Sequence, residues 1–128
     1  MRLKIYGMMH MVKLEQIAEA ALSDTPLLVR SLVQDWTAEK PCDRDHQRPK
    51  TQDPKVLAVA ASLAELFAER LGQTPPDWTA GIGALEEPLY LVRAAATMLR
   101  TRVLCEQEAP EALRKRRIYA PPNYLTFA

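Results

Sequence analysis

The sequence is poor in glycine and in aromatic residues, with four Gly, two Phe, two Trp and four Tyr among 128 positions. Tight hairpins rely on glycine for positive φ, so an all-β fold with many turns has little room here. Cysteine is scarce too. Cys42 lies in a polar stretch and Cys105 in an apolar one, an arrangement that suits a reducing compartment better than a disulfide scaffold. No apolar run approaches the ~20 residues that a membrane-crossing helix needs. The N-terminal stretch is interrupted by His10 and Lys13 and lacks the apolar segment of a secretory signal, so a cytoplasmic location is expected. An excess of either charge is also missing, because 17 Lys+Arg stand against 16 Asp+Glu for a formal net charge of +1. General attraction to nucleic acid or to an anionic membrane is therefore not expected, and only a local patch would provide it.

What remains is 48% hydrophobic and 26% charged, with ten prolines, the profile of one soluble domain with helices punctuated by proline. Met8, Met9 and Met11 set off residues 1–11 as an extension ahead of a single domain over 12–128. The spacing of Leu14, Ile17, Ala18, Ala21 and Leu22 predicts a first helix from Val12 to Leu22. Thr25 and Pro26 read as a cap and a first helical residue, opening a second helix to Glu39 that buries Leu28, Leu32, Val33 or Val29, and Trp36. Residues 40–52 hold no large apolar side chain and are expected as an exposed loop. Asp53 and Pro54 repeat the cap-and-proline device, and Gly72 marks the stop of a third helix, Pro54–Leu71. Its stripe is Val56, Leu57, Ala60, Leu63, Ala64, Phe67 and Leu71, and its alanines admit neighbouring helices closely. Residues 73–85 read as a connector with Trp78 plugged into the core. A fourth long helix is expected from Leu85 or Glu86 to Glu106, with Leu89, Val92, Ala95, Ala96, Leu99, Val103 and Cys105 facing inward. Ala109 and Pro110 open a short fifth helix to Arg117, followed by an extended tail, Ile118–Ala128. The expected fold is all-α: a small bundle of four main helices plus a short C-terminal helix and extended tail.

Sites of catalysis are hard to find. Gly81-Ile82-Gly83 lacks both the third glycine and the preceding strand of a phosphate-binding loop. Cys42 and His46 have the spacing of two zinc ligands, but His10 and Cys105 are the sole remaining residues of those types and lie on separate segments. Asp43 and Asp45 read as solvated loop residues. Glu86 and Glu87 are explained as acidic residues complementing the start of a helix. Glu65 and Glu69 stand one turn apart, but the Glu-x-x-His partners of a dimetal bundle are absent. No metal, no cofactor and no catalytic residue are expected.

The residues with most to say lie near the C-terminus. From Arg93 to Arg117 there are seven basic residues against three acidic ones, and Arg114-Lys115-Arg116-Arg117 is the densest cluster. Such a run suits an acidic protein partner, or a phosphate backbone with Tyr119 and Tyr124 stacking on bases. A solvated helix end, where cations favour the dipole, accounts for it equally. The tail from Ile118 onward is apolar, aromatic and stiffened by Pro121-Pro122; either it packs back on its own bundle or it docks on something else, at a reduced entropic cost.

Pro75-Pro76-Asp77-Trp78, Leu85-Glu86-Glu87-Pro88-Leu89-Tyr90, Ala109-Pro110-Glu111-Ala112-Leu113-Arg114-Lys115-Arg116-Arg117-Ile118-Tyr119 and Asn123-Tyr124-Leu125 together resemble a C-terminal segment of small bacterial helical proteins. Some of those look like antitoxin-like partners of nucleotidyltransferase-type toxins, and similar segments close some helix-turn-helix regulators. The resemblance carries no catalytic motif. Residues 12–39 gather no basic face of the kind a DNA-reading helix-turn-helix needs. The expected function is a non-catalytic binding protein, antitoxin-like or an accessory subunit, that covers a protein partner through Arg114, Lys115, Arg116, Arg117, Tyr119 and Tyr124. The alternative is a nucleic-acid-binding regulator using the same basic helix. Alanine-rich faces also suit a homodimer, a state the sequence leaves open.

Overall fold

A helix rich in alanine stands at the centre of the molecule because its small side chains let other elements approach from several sides. The computed structural model describes residues 14–23, 26–38 and 48–125, with the side chains of residues 26 and 36–38 excepted. The central helix, α3, spans Pro54–Leu71. Its ends are those expected: Asp53 accepts a hydrogen bond from the Lys55 amide at 2.9 Å, and Pro54 needs no donor in the first turn. Gly72, at φ 69°, ends the helix, its amide reaching the Ala68 and Glu69 carbonyls. That left-handed conformation is one an L side chain adopts at a cost. Val56, Val59, Leu63, Leu66 and Phe67 are buried together with Ala58, Ala60, Ala61, Ala64 and Ala68. Most of the circumference is thus covered, beyond the single stripe expected, whereas Leu71 is exposed.

Helix α1 (Leu14–Leu22) packs against α3, and α2 (Pro26–Ala38) packs against α1. The expected α1 ridge is buried at Leu14, Ile17, Ala18 and Ala21. In helix α2 the expected Val33 and its alternative Val29 are both buried as an i, i+4 row and Leu32 packs against the core, whereas Leu28 is exposed. Of the 40–52 loop, the described residues include exposed Arg48 and Lys50 but a buried Pro49. The expectations for residues 1–11, Thr25, the Trp36 side chain, and Cys42, Asp43, Asp45 and His46 lie outside the described residues, as does that for His10.

The fourth long helix is replaced by shorter elements. A 3-10 turn at Asp77–Gly81 leads to a two-residue strand, β1 (Leu89–Tyr90), then a second 3-10 turn at Arg93–Ala96 and helix α4 (Leu99–Glu108). A one-turn helix α5 (Glu111–Arg114) and strand β2 (Ile118–Tyr119) complete the order. Strands β1 and β2 are parallel, with Leu89 opposite Ile118 and Tyr90 opposite Tyr119. The amides of Leu85, Leu89 and Leu91 donate to the carbonyls of Arg116, Arg117 and Tyr119 at 3.1, 2.9 and 3.0 Å. Those donors are committed to a distant segment, so they do not build a local helical ladder. Helical spacing at Leu89, Val92 and Ala95 was therefore misleading. Farther on, Ala96 and Val103 are exposed and Leu99 is 73% exposed, against expectation.

The fold is mainly α, with this one small parallel pair among the described residues. A parallel pair requires a long crossover, which here carries α4 and α5. The expected extended tail folds back on the body: Ile118, Ala120 and Leu125 are buried, Tyr124 packs on the core, and Arg70 donates to the Leu125 carbonyl at 3.2 Å. Among the described residues, no helix is long and apolar enough to cross a membrane.

Candidate functional site

The basic run does not act as one surface. Helix α5 ends at Arg114 and the chain turns through Lys115–Arg117 into β2, so four consecutive side chains leave the backbone in different directions. Arg116 points inward and is 2% exposed. Its guanidinium grips Glu65 of α3 through both ends, Nη1 to Oε1 at 2.7 Å and Nη2 to Oε2 at 3.0 Å. Three carbonyls take its remaining donors: Ile82 from Nε at 3.0 Å, Thr79 from Nη2 at 2.7 Å and Ala112 from Nη1 at 3.3 Å. A buried arginine is tolerable when its charge is paired and its fork of donors is satisfied. The expectation that Arg116 forms part of an exposed contact surface is therefore corrected: it ties α3, the first 3-10 turn and the C-terminal turn together.

Lys115 leans on the same acid, its Nζ lying 2.8 Å from Glu65 Oε1, while the rest of its side chain is exposed. Burial alone would raise the Glu65 carboxyl, but hydrogen bonds from Arg116 and Lys115 outweigh it and hold the pKa at about 2. With two cations on it, Glu65 is not arranged as the metal-bridging carboxylate considered above. Among the described residues, no group of three His, Cys, Asp or Glu is placed to hold a metal ion. Nor do Glu86 and Glu87 begin a helix; they lie in a bend before β1.

Arg114 and Arg117 are the exposed members. Arg114 donates to Glu111 at 3.0 Å and to the Gln107 carbonyl at 2.7 Å, which fixes its direction without burying it. Arg117 sits at φ 66° and donates to the Glu86 carbonyl. Its backbone conformation is one that glycine adopts at lower cost.

Both expected aromatic contacts are engaged internally. Tyr119 lies against Tyr90, ring centroids 5.4 Å apart and tilted by 37°. Tyr124 packs on the core. Tyr90 donates its hydroxyl to Glu106 of α4, and Arg102 stands 5.6 Å over its ring, so this aromatic pair tethers α4 to the strands. The bond to Glu106 and partial burial both push the Tyr90 hydroxyl pKa up.

Glu65 was missed as the partner of Arg116. The signal was available: a lone carboxylate between Ala64 and Leu66, within a run whose neighbours are almost all small or apolar, must find a cation. Tyr90 and Glu106 gave no comparable signal, because their contact depends on the unexpected strand. Comparison with family models, with curated proteins and with solved structures found no match.

Proposed function

We propose that the chain is a non-catalytic binding protein, antitoxin-like or an accessory subunit, that covers an acidic protein partner with the exposed cations of its C-terminal turn. The observation that carries this reading is the placement of exposed Arg114 and Arg117 on either side of the buried Arg116–Glu65 anchor, where Lys115 also reaches Glu65. Cations held on an ordered turn lose less freedom on binding than the same charges on a loose tail. Arg117 adds to the argument, since a large side chain occupies a left-handed position where glycine is cheaper. The resemblance of the segment from Pro75 to Leu125 to antitoxin-like proteins points the same way. A cytoplasmic setting belongs to this reading.

The contact set is narrower than the sequence suggests. Arg116 and Lys115 hold Glu65, Tyr119 and Tyr124 pack internally, and Arg114 and Arg117 meet the partner. The deciding experiment is affinity purification of the tagged chain from its native cell, with and without Arg114→Glu and Arg117→Glu together. The wild-type chain should retain one stoichiometric acidic protein and the variant should lose it, with an unchanged circular-dichroism melt. Retention of the complex by the variant contradicts the reading. Binding of a nucleic acid that weakens steeply between low and physiological salt would replace it with the regulator alternative.

A further inference from the structure

Helix α4 carries apolar residues that no single stripe collects. Cys105 faces the body and is fully buried, while Leu99, Val103 and Leu104 are 73%, 37% and 38% exposed. Leu104 is the middle of one i, i+4, i+8 row, Arg100–Leu104–Glu108. Arg100 and Glu108 are both exposed. Neither forms an ion pair or a side-chain hydrogen bond with any described residue; the helix's own pair, Arg102 with Glu106, lies on a different row. The adjoining row is Leu99–Val103–Gln107, so along the helix Val103 and Leu104 fall between a cation, Arg100, and an anion, Glu108.

We propose that this face of α4 joins two copies of the chain, packed antiparallel about a two-fold axis at Leu104. A two-fold contact sets one patch against itself. Antiparallel pairing then places Leu104 on the partner's Leu104, Arg100 on the partner's Glu108, and Glu108 on the partner's Arg100. Each step of four residues is ~6 Å along the helix, so both ion pairs fall at matching heights on either side of the axis. Parallel pairing would oppose like charges instead, and opposed helix dipoles add to the antiparallel preference. An acidic protein would satisfy Arg100 and repel Glu108, whereas a second copy answers both. A net charge of +1 leaves little general repulsion between copies. The contact is short, since a ten-residue helix is ~15 Å long. It falls below the ~1,200 Å² of a stable specific interface, so the dimer is weak, with a dissociation constant on the order of 100 μM. It borders Arg114, which donates to the Gln107 carbonyl, but pairs with none of Arg114, Lys115 and Arg117 and goes beyond the protein-binding reading.

The test is sedimentation equilibrium of the full chain from about 10 μM to 1 mM, the range that brackets such an affinity. The mass should move from one chain toward two. Arg100→Glu and Glu108→Arg should each weaken association about tenfold, because each change acts twice in the dimer; together they should restore it to within about threefold. Leu104→Glu should abolish association while the chain still melts cooperatively, since Leu104 lies outside the core cluster. A monomer at every concentration overturns the proposal. So does association that survives Leu104→Glu, or a paired charge reversal that fails to restore what the single changes lose.

Discussion

Replacing Arg116 by methionine removes a cation and leaves its hosts behind. Five hydrogen bonds disappear, two on the Glu65 carboxylate and three on the carbonyls of Thr79, Ile82 and Ala112. Glu65 then retains the partly solvated Lys115 ammonium and the Thr79 hydroxyl. Breaking a buried pair by deleting one member costs about 3–5 kcal/mol, mostly because the other charge stays desolvated. Lys115 offsets some of that, which places the expected loss near the lower end, ~3 kcal/mol. With a urea slope of ~1–3 kcal/mol per M, the unfolding midpoint should fall by at least about 1 M. Circular dichroism against urea reads this directly. Changing Glu65 to methionine as well should recover part of the loss, because an apolar replacement of a whole buried pair is often neutral. A single-variant midpoint within about 0.3 M of wild type, a difference below ~1 kcal/mol, would refute the assignment of Arg116 as an internal anchor.

Further outcomes concern the helix that carries Glu65 and its surroundings. Glu65 titrates at about 2 in the folded chain against 4.5 ordinarily, so the unfolded chain takes up its proton first as pH falls. The stability it contributes is complete above the ordinary value and lost toward the lower one. Urea midpoints should therefore drop more steeply with acid over that window for wild type than for Glu65→Gln. Gly72→Ala should cost ~1–2 kcal/mol in the same assay, through the positive φ alone, since nothing lies within 4 Å of the added carbon. Ser62, buried with no hydrogen-bond partner for its hydroxyl among the described residues, should be replaceable by alanine with no loss or a gain of up to ~1 kcal/mol. Burial, and next the neighbouring Glu106, push the Cys105 thiol pKa up. In a Cys42→Ser background it should resist a thiol reagent at pH 8 when folded and react fully in urea, as followed by absorbance.

The helices whose ends carry their own chemistry were legible in the sequence. Asp53, Pro54 and Gly72 act through bonds within a few residues, so α3 was readable to the residue, and α1 declared itself by its stripe. The stretch from Leu85 to Glu108 was not readable in that way. Leu89 and Val92 carry helical spacing, but the amides of Leu85, Leu89 and Leu91 are taken by carbonyls more than two dozen residues farther along, a long-range pairing no local pattern announces. In α2 the choice between Leu28 and Val29 as the inward residue is a rotation of one position, decided by packing on α1. At the candidate site the basic cluster was visible and its division was not. Which of four adjacent cations turns inward depends on where the α5 turn meets Glu65, a tertiary fact. Tyr119 and Tyr124 were visible beside the basic run, but their rings pack internally, on Tyr90 and on the core.

The division of the basic run into a buried anchor, a lysine that joins it on Glu65 and two outward arginines can be tested at the anchor's own partner. Carbon-13 NMR of the Glu65 side-chain carboxyl, followed from neutral pH into acid, measures whether two cations hold it. The structure predicts a midpoint of about 2, moving sharply upward in Arg116→Met. A midpoint near 4.5 in the wild-type chain would mean that Arg116 is not on Glu65 and would contradict the account.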